Sequence, residues 1–314
     1  RDSAACRRTF RWRRRRKIMG TRTVHTGPSS PVDDLQRVGP APWPPHQQSR
    51  SDAWFWSTTF VHVGKTGGTS VQEYLTRSGI SHNDEHTRAC SPQNQVCQVH
   101  ARPVALADIP DKVPVFITVR DPLSRAISAF NWRNPRDGAP HLRGRNMSAT
   151  ADGRLYECFD HIDALALSLE SRTPCGVTAR ASLQPGWASS HLSMGFAFYL
   201  EGVLDSLTRQ QDAHGRPLRR YELVYIETVE EDLRRVLAWA HLAKGARDFP
   251  HAFGDYPGRN KTRLSEVGRQ LLRRHLCRDY NVVQRLEAHA AKASRINVSG
   301  PQERATITAK LHSV

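Results

Sequence analysis

The sequence predicts an α/β fold, with a central, mostly parallel sheet flanked by helices. Two observations carry this. Strand-like runs occur at residues 54–63, 115–119 and 222–226, and the one at 115–119 is a continuous apolar run of the kind expected for a strand buried on both faces. Each is followed by a segment with helical spacing, and strands alternating with helices argue for parallel pairing.

Taken in order, residues 1–52 read as a disordered basic and Pro-rich segment, residues 53–290 as one domain, and residues 291–314 as a tail. The first segment has no apolar period and contains the runs Gly27-Pro28-Ser29-Ser30-Pro31 and Gly39-Pro40-Ala41-Pro42-Trp43-Pro44-Pro45. The first strand ends at Gly64, and a Gly-containing turn leads to a helix over 69–77. The second strand stops at Arg120. There Asp121 is placed to cap a helix that begins with Pro122, repeats its apolar residues at Leu123, Ile127 and Phe130, and ends near Asn134-Pro135. Residues 135–154 read as a polar excursion, and 158–169 and 187–200 as helices. The third strand passes at Glu227 into an amphipathic helix over 229–242. A last helix over 265–289, capped by Ser265, closes the domain.

The formal charge of the 314-residue chain is +16. Half of it sits in residues 1–20, where nine Lys or Arg stand against Asp2. The remainder is spread over the body, where it suits phosphate-bearing or polyanionic ligands and requires no nucleic acid. No stretch approaches the length of a membrane-spanning helix, and the basic run is not followed by the apolar core of a signal peptide. The chain begins with Arg1, as a fragment or processed form would. Six cysteines lack any CxxC pair, which disfavours zinc ribbons and thioredoxin-like chemistry. Cys90 with Cys97, and Cys158 with Cys175, can close short loops in an oxidising compartment; buried free thiols are the alternative. Sequons at Asn146, Asn260 and Asn297 add weak support for a secretory route.

The segment Phe60-Val61-His62-Val63-Gly64-Lys65-Thr66-Gly67-Gly68-Thr69-Ser70 places a lysine and two glycines between a strand and a helix. Backbone N–H groups and the helix N-terminus can surround a phosphate there, with Lys65 adding charge and Thr69 and Ser70 adding hydroxyls. The GxxxxGK[ST] order fails, because position 59 is Thr59 and the glycines follow the lysine. An ordinary βα connection is the plain alternative. In the second segment, Ile117-Thr118-Val119-Arg120-Asp121-Pro122-Leu123-Ser124-Arg125-Ala126-Ile127-Ser128, Arg120 leaves a strand at the carboxyl edge of the sheet. Ser128 lies about two turns into the next helix, within reach of the same anion. A capped helix with solvated arginines is the plain alternative here.

Lys65-Thr66-Gly67-Gly68-Thr69 resembles the 5′-phosphosulfate loop of sulfotransferases that use 3′-phosphoadenosine 5′-phosphosulfate (PAPS), and Arg120 with Ser128 resembles their 3′-phosphate motif. The closer likeness is to Golgi carbohydrate O-sulfotransferases of the heparan sulfate and uronyl type. It runs from about Phe60 to His289 and is diffuse between the two motifs. The resemblance implies a P-loop-like three-layer α/β fold, PAPS as co-substrate, and a nucleotide site made by Lys65, Thr66, Gly67, Gly68, Thr69, Ser70, Arg120 and Ser128. Lys261 and Arg263 would join from a basic loop before the last helix.

Val96-Cys97-Gln98-Val99-His100-Ala101-Arg102-Pro103 resembles the stretch bearing the catalytic histidine in those enzymes, which makes His100 the expected base and Lys65 the cation on the leaving phosphate. His62 and His191 are rivals for that role, His82 and His86 are expected in loops, and Glu73 and Glu227 are further polar candidates. The implied acceptor is a carbohydrate, with no metal and no nucleic acid. The implied location is the Golgi lumen, with membrane attachment only through an anchor outside this sequence. Residues 135–220 show no acceptor-binding pattern. Two other readings share these features: a kinase-like phosphoryl transferase, and a non-catalytic polyanion-binding module.

Overall fold

A computed structural model describes residues 56–83, 90, 93–111, 113–134, 151–185, 187, 190–209, 220–242, 249 and 264–298. Four strands form one parallel sheet: β1 (Thr58–Val61), β2 (Val96–Val99), β3 (Val115–Val119) and β4 (Tyr221–Tyr225), in the order β2-β1-β3-β4. Pairing runs Val61↔Val99, Val61↔Ile117 and Val119↔Tyr225, so all four carboxyl ends emerge along the same edge. The chain leaves β1 for the outer strand β2 and then crosses back to β3 on the far side of β1. Strand order therefore reverses between β1 and β3, where an α/β sheet opens a crevice for ligands.

Side chains alternate across the strands and feed two cores. Phe60, Val96, Phe116 and Val224 meet Val71, Tyr74 and Leu75 of α1 (Gly68–Arg77) and Leu233, Val236 and Leu237 of α8 (Val229–Trp239). On the other face, Val61, Val99, Ile117, Val119 and Leu223 meet α6 (Phe196–Leu200), α7 (Leu204–Thr208) and α10 (Cys277–Val298). The result is the expected three-layer arrangement, with every residue of β1, β2 and β3 buried. At about 25 cal/mol per Å² of apolar surface removed from water, this two-sided burial dominates the sheet's stability.

A third core contains no strand residue. It joins α2 (Pro122–Arg133) with α3 (Ala151–Cys158), α4 (Ile162–Ser168), α5 (Pro174–Ser182) and α9 (Glu266–His275) through residues such as Phe130, Leu155, Ile162, Leu165 and Leu272. Disulfides link Cys158 to Cys175 within this helical lobe and Cys90 to Cys97 beside the sheet.

Helix α2 begins at Pro122 as expected, and the Asp121 carboxylate accepts the Ser124 N–H at 2.9 Å and the Tyr280 hydroxyl at 2.8 Å. Ser265 likewise caps α9, accepting the Gly268 N–H at 3.0 Å.

Several expected boundaries are corrected. Strand β2 has no counterpart in the sequence reading. The helix expected over 158–169 breaks after Cys158, where Asn134 holds the Asp160 carbonyl, and resumes as α4. Of the helix expected over 187–200 only α6 forms among the described residues, and the carbonyls of residues 191, 192 and 194 are bound by Arg125 instead of by a helical ladder. The expected last helix divides at Leu276 into α9 and α10, and α10 continues past residue 290 to Val298. The N-terminal segment, His86, Lys261 and Arg263 lie outside the described residues. No helix among the described residues is long and apolar enough to cross a membrane.

Candidate active site

The turn after β1 is built around its own small residues. Lys65 and Gly67 both adopt the left-handed backbone region, at φ 69° and 88°. Glycine accepts this freely; a lysine there is strained by about 1–3 kcal/mol and must be held by its surroundings. Thr66 does part of the holding. Its hydroxyl donates to the Val63 carbonyl at 2.5 Å, which leaves Thr118 Oγ1, 2.6 Å away, to donate to it. The Thr66 N–H also turns back to Val63, at 3.3 Å. Thr66 is thus a buried tie between the turn and β3, and its hydroxyl is committed inside the protein.

Gly68 opens α1, where the first N–H groups have no partner within the helix. A Cβ on Gly68 would overlap the His62 ring, and one on Gly64 would stand 2.6 Å from Nδ1 of His191. The two glycines therefore admit two imidazoles against the turn. Thr69 is exposed and Ser70 half-buried on the first turn of α1.

Arg120 leaves the end of β3 and donates from Nη1 to the Lys65 carbonyl at 3.2 Å. The two corners singled out from sequence therefore touch, at the strand-order reversal. Burial pushes the Arg120 pKa down; Glu227 and Asp121 oppose this, and Arg125 reinforces it. An arginine stays cationic throughout. The Lys65 ammonium lies 3.6 Å from the centroid of the Trp132 ring, a cation–π contact worth about 0.5–2 kcal/mol. Ser128 lies on α2 eight residues beyond Arg120, half-buried.

His100 follows β2 directly. Its Nδ1 stands 2.8 Å from the His62 carbonyl oxygen, which can only accept, so Nδ1 carries the proton and the lone pair resides on Nε2. The Tyr199 hydroxyl lies 3.4 Å from the same Nδ1 and accepts the Ala101 N–H at 3.3 Å. The His62 ring stacks on His100 with centroids 4.0 Å apart, and the Gln98 amide nitrogen lies 3.3 Å from its Nδ1. Burial first, then the neighbouring His100, His191 and Lys65, hold His62 well below the ordinary imidazole pKa, so it is neutral near pH 7. The ring of His191 lies 5.5 Å from that of His100.

Of the other sequence candidates, Glu73 is paired with Arg77 one turn along α1, and His82 is engaged with Thr76 and the Asn83 carbonyl. Glu227 is exposed on the turn after β4, next to Ile226, whose Cδ1 would be 3.2 Å from a Cβ on Gly67. Sequence reasoning missed Trp132, Tyr199 and Arg125. Only Arg125 left a signal, as a charge set among Ala126, Ala129 and Phe130, all buried.

The edge thus combines a glycine turn with helix N–H groups, two cations from different strands, and an imidazole whose tautomer is set. Such a set can bind an anion with two charged ends and accept a proton beside it. Among the described residues, no three His, Cys, Asp or Glu side chains converge as a metal-binding group. Comparison with protein-family models, curated proteins and solved structures finds no match.

Proposed function

We propose that this protein is a PAPS-dependent O-sulfotransferase acting on a carbohydrate hydroxyl. The observation that carries this reading is the Arg120–Lys65 contact: it brings the two motif-bearing corners together at the switch between β1 and β3. PAPS supplies an activated sulfuryl group on a phosphate leaving group. In this reading the P-loop-like turn of residues 65–70 holds the 5′-phosphosulfate through helix N–H groups and the Lys65 ammonium, while Arg120 and Ser128 hold the 3′-phosphate. His100 takes the acceptor hydroxyl's proton on Nε2 as the new O–S bond forms and the S–O bond to phosphate breaks. Lys65 stabilises the charge that collects on the departing phosphate oxygen. Products are a sulfate ester and adenosine 3′,5′-bisphosphate, so atoms and charge balance without another reactant.

Positioning and electrostatic stabilisation supply most of the acceleration in such a scheme. The disulfides Cys90–Cys97 and Cys158–Cys175 suit an oxidising compartment, in keeping with a Golgi lumenal location.

The test is incubation with radiolabelled PAPS and a panel of desulfated glycosaminoglycans, other glycans and small phenols. Label is expected in a carbohydrate. His100→Ala should lower turnover by about 10²–10⁴-fold, the contribution of one general base, while keeping affinity for adenosine 3′,5′-bisphosphate. Magnesium-dependent transfer of labelled phosphate from ATP, or tight polyanion binding with no turnover, would contradict the reading.

A further inference from the structure

Among the described residues, Arg125 is the largest side chain that is fully buried. A buried guanidinium is costly unless its charge and most of its protons are met, and in Arg125 the two Nη groups are met while Nε is not. Nη1 donates to the carbonyls of His191 at 2.7 Å and Met194 at 3.4 Å, and Nη2 to that of Leu192 at 3.2 Å. The Asp279 carboxylate of α10 stands 3.7 Å from Nη2 and accepts the Ala197 N–H at 2.9 Å. Gly195 has no room for a side chain against that carboxylate.

Arg125 therefore clamps the turn between residue 190 and α6 from within α2, at a position between Arg120 and Ser128. The clamped turn carries His191. Its ring packs on Gly64, one residue before Lys65, and its centroid is 5.5 Å from that of His100.

We infer that Arg125 is a positioning residue that holds His191 at the reaction centre, and that His191 is a second imidazole there, donating a hydrogen bond to the transferring sulfuryl group. This rests on the function proposed above. The sulfuryl end is the one His191 meets, because its ring is backed by the start of the turn that holds the phosphosulfate, on the side of His100. A planar fork is needed for the clamp. Lysine at position 125 keeps the charge beside Asp279 but cannot serve three separately placed carbonyls.

The experiment compares wild type, His191→Ala, His191→Gln, Arg125→Lys and the Arg125→Lys/His191→Ala pair, each checked for folding by thermal unfolding. Single-turnover transfer from labelled PAPS should fall about 10²-fold in His191→Ala, the scale of one lost transition-state donor. His191→Gln, which keeps an N–H donor, should recover most of that rate. Affinity for adenosine 3′,5′-bisphosphate, which has no sulfuryl group, should be unchanged in both. Arg125→Lys should slow transfer, and the double variant should be no slower than His191→Ala alone, because the clamp acts through that ring. A wild-type rate in His191→Ala, or losses that multiply in the double variant, would overturn the inference.

Should Arg125→Lys fail to fold, Arg125→Gln, which keeps donors for part of the clamp, takes its place in the cycle. A second readout does not depend on turnover: PAPS, added without acceptor, should shift the His191 ring resonance in the wild-type NMR spectrum and not in the clamp variant. If that shift is present and the wild type transfers no sulfuryl group, the clamp stands and the sulfotransferase reading fails; if it is absent, the clamp fails.

Discussion

His62 and His100 are a stacked pair of buried imidazoles in which the backbone of the first sets the tautomer of the second. The carbonyl of His62 fixes the proton on Nδ1 of His100 at 2.8 Å, and the two rings stack at 4.0 Å. The cost falls on His62, whose charged form is disfavoured first by burial and then by the neighbouring His100, His191 and Lys65. Unfolding returns His62 to its ordinary pKa near 6.5, so below that pH the unfolded chain binds the extra proton. The stabilisation is complete above about pH 6.5 and is lost as pH falls toward the lower folded value. Thermal unfolding between pH 7.5 and 5.5 should therefore show a larger acid-side loss in wild type than in His62→Phe, which keeps the ring and cannot titrate. Equal slopes would contradict this account of His62.

At this scale the sequence was informative wherever chemistry is local. Asp121 and Ser265 were readable as caps because a cap is decided by residues three apart. His100 drew attention only through the resemblance, and its tautomer, set by a carbonyl 38 residues upstream, left no signal in the sequence. Trp132 beneath the Lys65 ammonium and the Arg125 clamp depend on tertiary packing that no spacing reveals.

Among the elements, β3 and α2 appear almost as expected, because a five-residue apolar run before Arg120 and a Pro122 start are unambiguous. Strand β2 was missed for the opposite reason: Val96–Val99 is four residues long and contains Gln98, and pairing with β1 overrides its weak propensity. The helical lobe was hardest to read. Its short helices are defined by mutual packing and by the link from Cys158 at the end of α3 to Cys175 at the start of α5. That disulfide closes a loop with a sequence separation of 17. In the chain-entropy model, a loop of that order constrains the unfolded state by about 3 kcal/mol. Denaturant unfolding of Cys158→Ser/Cys175→Ser should show a loss of that order, with the His62 pH response retained. No change in the midpoint would mean that packing alone holds the lobe.

For the molecule as a whole, strand order does the positioning. With β1 and β3 adjacent and parallel, the turns after both open on one edge, and α1 and α2 present their N-termini there. The fold class and the two corners could be read from alternating strands and helices. Residues 135–220 show no acceptor-binding pattern, and the clamped turn at 190–194 has no sequence signature. The charge of the chain is lopsided, with nine Lys or Arg in the first 20 residues. Deleting residues 1–20 should leave sulfuryl transfer near the wild-type rate, as measured with labelled PAPS. No sulfuryl transfer by the full chain, together with loss of polyanion affinity on the deletion, would favour a binding module instead.

The central claim is that the turn of Lys65 and the end of β3 at Arg120 grip one adenine nucleotide by both of its charged ends. Calorimetric titration with adenosine 3′,5′-bisphosphate and with adenosine 5′-monophosphate tests it most directly. The account predicts that the bisphosphate binds at least about tenfold more tightly, roughly the 1.4 kcal/mol or more expected of one charge-assisted contact, and that Arg120→Ala abolishes the difference. Equal affinity of the wild type for the two nucleotides would contradict it.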